Sequence, residues 1–156
     1  MSLFATRIDT PIGPLVALVD GDGALASLLF AHQPVPAGVS WDDARGAPAA
    51  TQLAEYFRGE RQAFDLALAP RGTEFQRDVW DELRRIPYGA TVSYRALAER
   101  VGRPNASRAV GRANATNPLP IVVPCHRVIG ANGSLTGYAG GIETKTTLLA
   151  LETGTR

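Results

Sequence analysis

The chain has 156 residues, of which 45% are hydrophobic and 20% charged, with a formal net charge of +1. This balance excludes a disordered, collagen-like or coiled-coil chain and is long enough to bury a sizeable core. Its one cysteine, Cys125, rules out an intramolecular disulfide, and with only two histidines a closed Cys/His zinc site is nearly excluded. No run approaches the ~18 apolar residues of a membrane span. The opening MSLFATRIDTPIGP has no basic segment followed by a long apolar one, so no signal peptide is expected. A soluble, cytoplasmic protein is the expectation.

The elements are predicted in chain order. LFATRI, LVALVD and ALASLLF, broken by Pro11-Ile-Gly-Pro14 and Gly21-Asp22-Gly23, read as an antiparallel hairpin or meander. Residues 31–48, rich in Pro, Gly and Ala, read as a surface loop, with His32 as a solvent-facing residue without a role. In TQLAEYFRGE, Leu53, Tyr56 and Phe57 have helical spacing, with Gly59 as the stop. Phe64, Leu66 and Leu68 alternate as a strand ending at Pro70. Residues 1–70 are thus expected to form a small α/β domain, an antiparallel sheet with a helix, carrying no catalytic signature.

Beyond Pro70-Arg71-Gly72 the pattern turns helical, and residues 73–156 are expected to form a mainly α second domain. Thr73 and Gln76 offer a capping box ahead of Phe75, Val79, Leu83 and Ile86. Ser93 caps a second helix that stops at Gly102, and Asn105 caps a third, ASRAVGRANA. The pair, residues 93–115, reads as a helix-turn-helix. Ala106, Ala109, Val110 and Ala113 form the expected buried stripe, while Arg108 and Arg112 share the other face. The third helix carries small side chains, which suit either close packing on a neighbour or entry into a confined groove such as the DNA minor groove.

Charge is divided unevenly. Residues 1–70 carry four basic and eight acidic side chains, residues 71–156 twelve and seven. The excess gathers in Arg95, Arg100, Arg103, Arg108, Arg112 and Arg127 against Glu99 alone, which is either a solvated face or a footprint for a polyanion.

The stretch 117–130, NPLPIVVPCHRVIG, holds the chemistry. Ile121-Val122-Val123 reads as a buried strand-like run that ends at Pro124 and presents Cys125 beside His126. A thiol is a poor nucleophile at neutral pH unless its pKa falls or a base takes its proton, and a histidine oriented by a carboxylate can supply that base. A lone cysteine can equally be a small buried hydrophobe.

Pro-Cys-His-Arg-Val, with Asn117-Pro118 before it and Gly137-Tyr-Ala-Gly-Gly141 after it, closely resembles the O6-alkylguanine-DNA alkyltransferases, also called methylated-DNA–protein-cysteine methyltransferases. The likeness runs from Thr73 to Glu152, through Ser93-Tyr94 and Arg108-Ala-Val-Gly111, and is loose over the first ~70 residues, where it is limited to the turn at residues 10–14. It implies a suicide DNA repair protein that takes the alkyl group from O6 of guanine, and also from O4 of thymine, onto Cys125. His126 would be the base, acting through a bridging water, with Glu152 orienting it. Read from the sequence pattern alone, Glu152 is instead a surface acid at the end of the last helix.

The resemblance further makes Asn117 a hinge that ties the nearby backbone, and Tyr94 a donor to the leaving base. Pro120, Val128, Tyr138, Ala139 and Gly140 would line the pocket. Ala139 stands where many relatives have Ser, so that hydroxyl is missing here. Ala106, Ala109 and Gly111 would meet the minor groove, and Arg108 would fill the space left by the flipped base. Neither metal nor organic cofactor is implied. The partner is double-stranded DNA containing O6-alkylguanine, with the protein monomeric in solution and self-association on DNA left open. A dead lesion-binding relative would replace Cys125, and a cysteine hydrolase would normally bring its His from elsewhere in the chain.

Overall fold

The computed structural model describes residues 2–135 and 137–154. The chain divides into two compact units, residues 1–71 and 72–156.

In the first unit, β1 (Leu3–Ile8), β2 (Leu15–Asp20) and β3 (Leu25–Leu29) pair antiparallel in sequence. The turn between β2 and β3 is closed by the Asp20 carboxylate, which accepts from the amides of Asp22 and Ala24. The two-residue strand β4 (Ser40–Trp41) adds to the free side of β1 in parallel, so the sheet is mixed, in the order β3-β2-β1-β4. Helix α1 (Asp43–Phe57) packs on β1 and β2 through Ala49, Leu53 and Tyr56.

This helix begins well before the expected residue 51. Asp42 caps it by accepting from Ala44 N at 3.1 Å, and its early Gly and Ala are contact residues. Gly46 lies so close to Thr6 that a Cβ there would overlap the Thr6 side chain. Composition that suggests a loop therefore serves close helix-on-sheet packing. Residues 64–68 do not form a strand; only Leu68 bridges to Leu25. His32 is exposed and stacks on Phe30.

The second unit opens with α2 (Glu74–Leu83), whose Thr73–Gln76 capping box is fully formed. Trp80 on this helix donates to Ala113 O at 2.8 Å and pins it to α4 (Ser107–Ala115). Helix α3 (Tyr94–Arg100) starts from Ser93, whose hydroxyl accepts from Ala96 N at 3.0 Å. Asn105 does not cap α4. The turn instead closes through Ala106 N to Arg103 O, which makes Ala106 the residue before the helix and leaves Asn105 exposed. The buried side of α4 is Val110, Ala113 and Asn114, whereas Ala106 and Ala109 are only half-buried.

A short parallel pair, β5 (Val92–Ser93) with β6 (Val128–Ile129), ties the start of α3 to the segment after Cys125. Helix α5 (Ile142–Thr153) closes the unit. Among the described residues no helix is long and apolar enough to cross a membrane.

Candidate active site

The segment 117–124 is buried from Leu119 onward, but it is a run of tight turns and not a strand. Pro118, Pro120 and Pro124 remove three amide donors, which forbids a regular ladder. Ile121 takes φ +74°, a conformation that is unfavourable for a β-branched residue and is held only by its surroundings. Asn117 supplies much of that hold. Its amide donates to Val123 O at 2.8 Å while its Oδ1 accepts from Leu119 N at 2.9 Å, so one side chain spans the loop.

Cys125 opens a single 3-10 turn (Cys125–Arg127) and is 6% exposed. Burial raises its thiol to a pKa of about 11, against the lowering pulls of the Asn117 side chain and the Lys145 charge. The thiol is thus protonated at neutral pH and needs a base to react. Behind it His126 is fully buried, with Nε2 2.7 Å from Glu152 Oε2, while Nδ1 has no hydrogen-bond partner in the protein. The carboxylate accepts the Nε2 proton, which leaves the Nδ1 lone pair open. Burial is the largest influence on the imidazole and, with the Arg127 and Lys145 charges on the same side, holds it below its ordinary pKa against the upward pull of Glu152.

Glu152 is a buried acid near the end of α5, not the surface acid that helix-end patterning suggests. Its counter-charge is Arg127, whose Nε and Nη2 donate to the two carboxylate oxygens at 2.7 and 2.9 Å, and whose Nη1 donates to Ile86 O at 2.7 Å. Arg127 therefore leaves the expected basic surface and joins the interior. Lys145, also fully buried, donates to Val128 O at 2.7 Å. Neither residue was marked for a role by the sequence. The adjacency of Arg127 to His126 was the available signal, because a 3-10 turn lets both reach one carboxylate. Asn114 on α4 reaches Cys125 O at 3.5 Å.

The remaining candidates spread over the same unit. Tyr94 is half-buried at the head of α3, with its ring facing Gly111. Pro120 and Val128 are buried, Tyr138 and Gly140 are half-buried, and Ala139 is exposed. Arg108 and Arg112 are exposed on α4, as are Arg95, Arg100 and Arg103. Among the described residues no group of three or more His, Cys, Asp or Glu could hold a metal ion.

Fold and site together define a class: a helix-turn-helix unit built around a buried cysteine backed by a histidine–carboxylate pair. A family model for the DNA-binding domain of 6-O-methylguanine DNA methyltransferase matches residues 74–154. A methylated-DNA–protein-cysteine methyltransferase of Mycolicibacterium paratuberculosis is 53% identical over 148 residues, covering 93% of this chain and 89% of its own. One from Methanosarcina acetivorans is 48% identical over 153 residues, covering 96% and 98%. The crystal structure of Mycobacterium tuberculosis OGT in complex with DNA matches with a TM-score of 0.92 at 47% identity, covering 97% of this chain and 94% of that one. The chain belongs to the methylated-DNA–protein-cysteine methyltransferase family.

Proposed function

We propose that this protein repairs double-stranded DNA by moving the alkyl group of O6-alkylguanine onto Cys125, once per molecule. The observation that carries this reading is the buried Cys125–His126–Glu152 arrangement with an unpartnered His126 Nδ1, in a chain about half identical to named methyltransferases. His126 Nδ1 takes the thiol proton through a bridging water, and Glu152 stabilises the imidazolium that forms. Sγ attacks the alkyl carbon in line, the carbon–oxygen bond breaks, and its electron pair returns to the guanine. The Tyr94 hydroxyl donates to the departing base and reduces the cost of its charge. The product is a thioether, and no residue is assigned to reverse it. O4-alkylthymine is a second substrate of the same chemistry.

The target atom lies inside the duplex, so the nucleotide must be turned out of the stack, at a cost of a few kcal/mol. In this reading α4 enters the minor groove on its small face of Ala106, Ala109 and Gly111, and Arg108 fills the vacated space. The flipped base lies against Pro120, Val128, Tyr138, Ala139 and Gly140. The protein acts as a cytoplasmic monomer before it meets DNA. The test is mass spectrometry after mixing with an O6-methylguanine duplex. One methyl group on Cys125 is expected, and none on a Cys125→Ser protein that still binds the duplex. Binding by the unmodified protein without any gain in mass would overturn the reading.

A further inference from the structure

His126 and Arg127 both bond to Glu152. It accepts from His126 on one oxygen and from Arg127 on both, in a space that water barely enters. A carboxylate alone beside a buried imidazole would favour the imidazolium, and a histidine that already carries its proton cannot accept another. A guanidinium fork changes this in two ways. Its two parallel bonds fix the plane of the carboxylate, as a single ammonium donor cannot. Its charge also opposes the field that the carboxylate exerts on the imidazole. The third bond, from Nη1 to Ile86 O, fixes the guanidinium itself.

We propose that Arg127 is a positioning residue for the transfer: it grips Glu152, aims one oxygen at His126 Nε2, and joins burial in opposing the carboxylate charge, so that the imidazole rests neutral with Nδ1 open. The inference rests on the alkyl-transfer reading and adds the residue that sets its base. The charged groups acting on His126 are Glu152 and Lys145 from α5 and Arg127 from its own turn, with the Cys125 thiol beside it and the Tyr88 ring facing Arg127. Of these, Glu152 draws a proton onto the imidazole, while Arg127 and Lys145 repel one. Removing the Arg127 charge therefore moves the His126 titration to higher pH.

The experiment follows the His126 ring nitrogens by NMR from about pH 6 to 8 and, in parallel, the rate of Cys125 benzylation by free O6-benzylguanine, which needs no DNA. In the unmodified protein His126 is expected to stay neutral with its proton on Nε2, and the rate to be flat on the acid side. In Arg127→Gln, His126 is expected to titrate within the range, with a rate that rises as it loses its proton. Arg127→Lys keeps the charge and loses the fork. His126 is expected to stay neutral there while the rate falls about tenfold to a hundredfold at every pH, the scale of a small misplacement. An Arg127→Gln protein that folds but has an unchanged His126 titration and pH profile would overturn the proposal. If that variant does not fold, a fully active Arg127→Lys would do so. The NMR readings need no substrate. Failure of the alkyl-transfer reading, seen as no benzylation of the unmodified protein, is therefore distinguishable from failure of this one.

Discussion

Arg108 and Arg127 are both arginines of a basic stretch, and burial separates them completely. Arg108 is solvent-facing on α4, away from the buried Glu152 cluster, so its loss should affect duplex DNA and spare the chemistry. Arg108→Ala is expected to slow repair of duplex O6-methylguanine by at least tenfold while leaving the reaction with free O6-benzylguanine within about twofold, since a free base needs no extrusion. Rates on the two substrates check it, and equal losses would move Arg108 into the pocket or the fold. At this scale a dense motif singles out Cys125, His126 and Asn117, and the structure places the first two in one buried turn with Asn117 bracing the segment before it. Only the resemblance singles out Glu152, and charge counting places Arg127 on the surface, whereas both are buried. Neither patterning nor charge counting detects a buried ion pair whose members lie 25 residues apart.

Caps and breakers made several elements legible: the Thr73 box, the Ser93 cap and the β2–β3 turn all form as their residues require. The elements that escaped did so because small residues have more than one use. In α1, Gly and Ala near the N-terminal end resemble loop composition, yet Gly46 is where the helix touches Thr6. Gly46→Val should therefore overpack that contact and cost about 1–3 kcal/mol, read as a lower thermal midpoint, with the cysteine chemistry of the other unit unaffected. Ile121-Val122-Val123 looked strand-like because strand propensity is local, whereas the neighbouring prolines and the Asn117 span decide the backbone there.

For the molecule as a whole, the buried charges tie stability to pH. His126 titrates below its ordinary value of 6.5 in the folded chain, so the unfolded chain binds the extra proton first as pH falls. The stability it contributes is complete above about pH 6.5 and is lost progressively as pH drops toward the folded value. The thermal midpoint should fall on acidification from pH 7, and His126→Gln should flatten that fall. Melting curves at several pH values, in buffers of equal ionic strength, check this. The two units also divide the labour unevenly: every candidate site residue lies in residues 72–156, and the first unit contributes a sheet and helix with a core of its own.

The grip of Arg127 on Glu152 has a meaning for the growing chain. Synthesis delivers Arg127 and His126 well before Glu152, and until that carboxylate emerges from the ribosome the arginine has no counter-charge to accompany it into the interior. The turn around Cys125 therefore cannot close on its ion pair until α5 is made, whereas the strands and helix of the first unit are complete by residue 71. The buried ion pair is completed last, by a latch near the end of α5, and a chain stopped before residue 152 would keep its sheet and lack the carboxylate that His126 and Arg127 share.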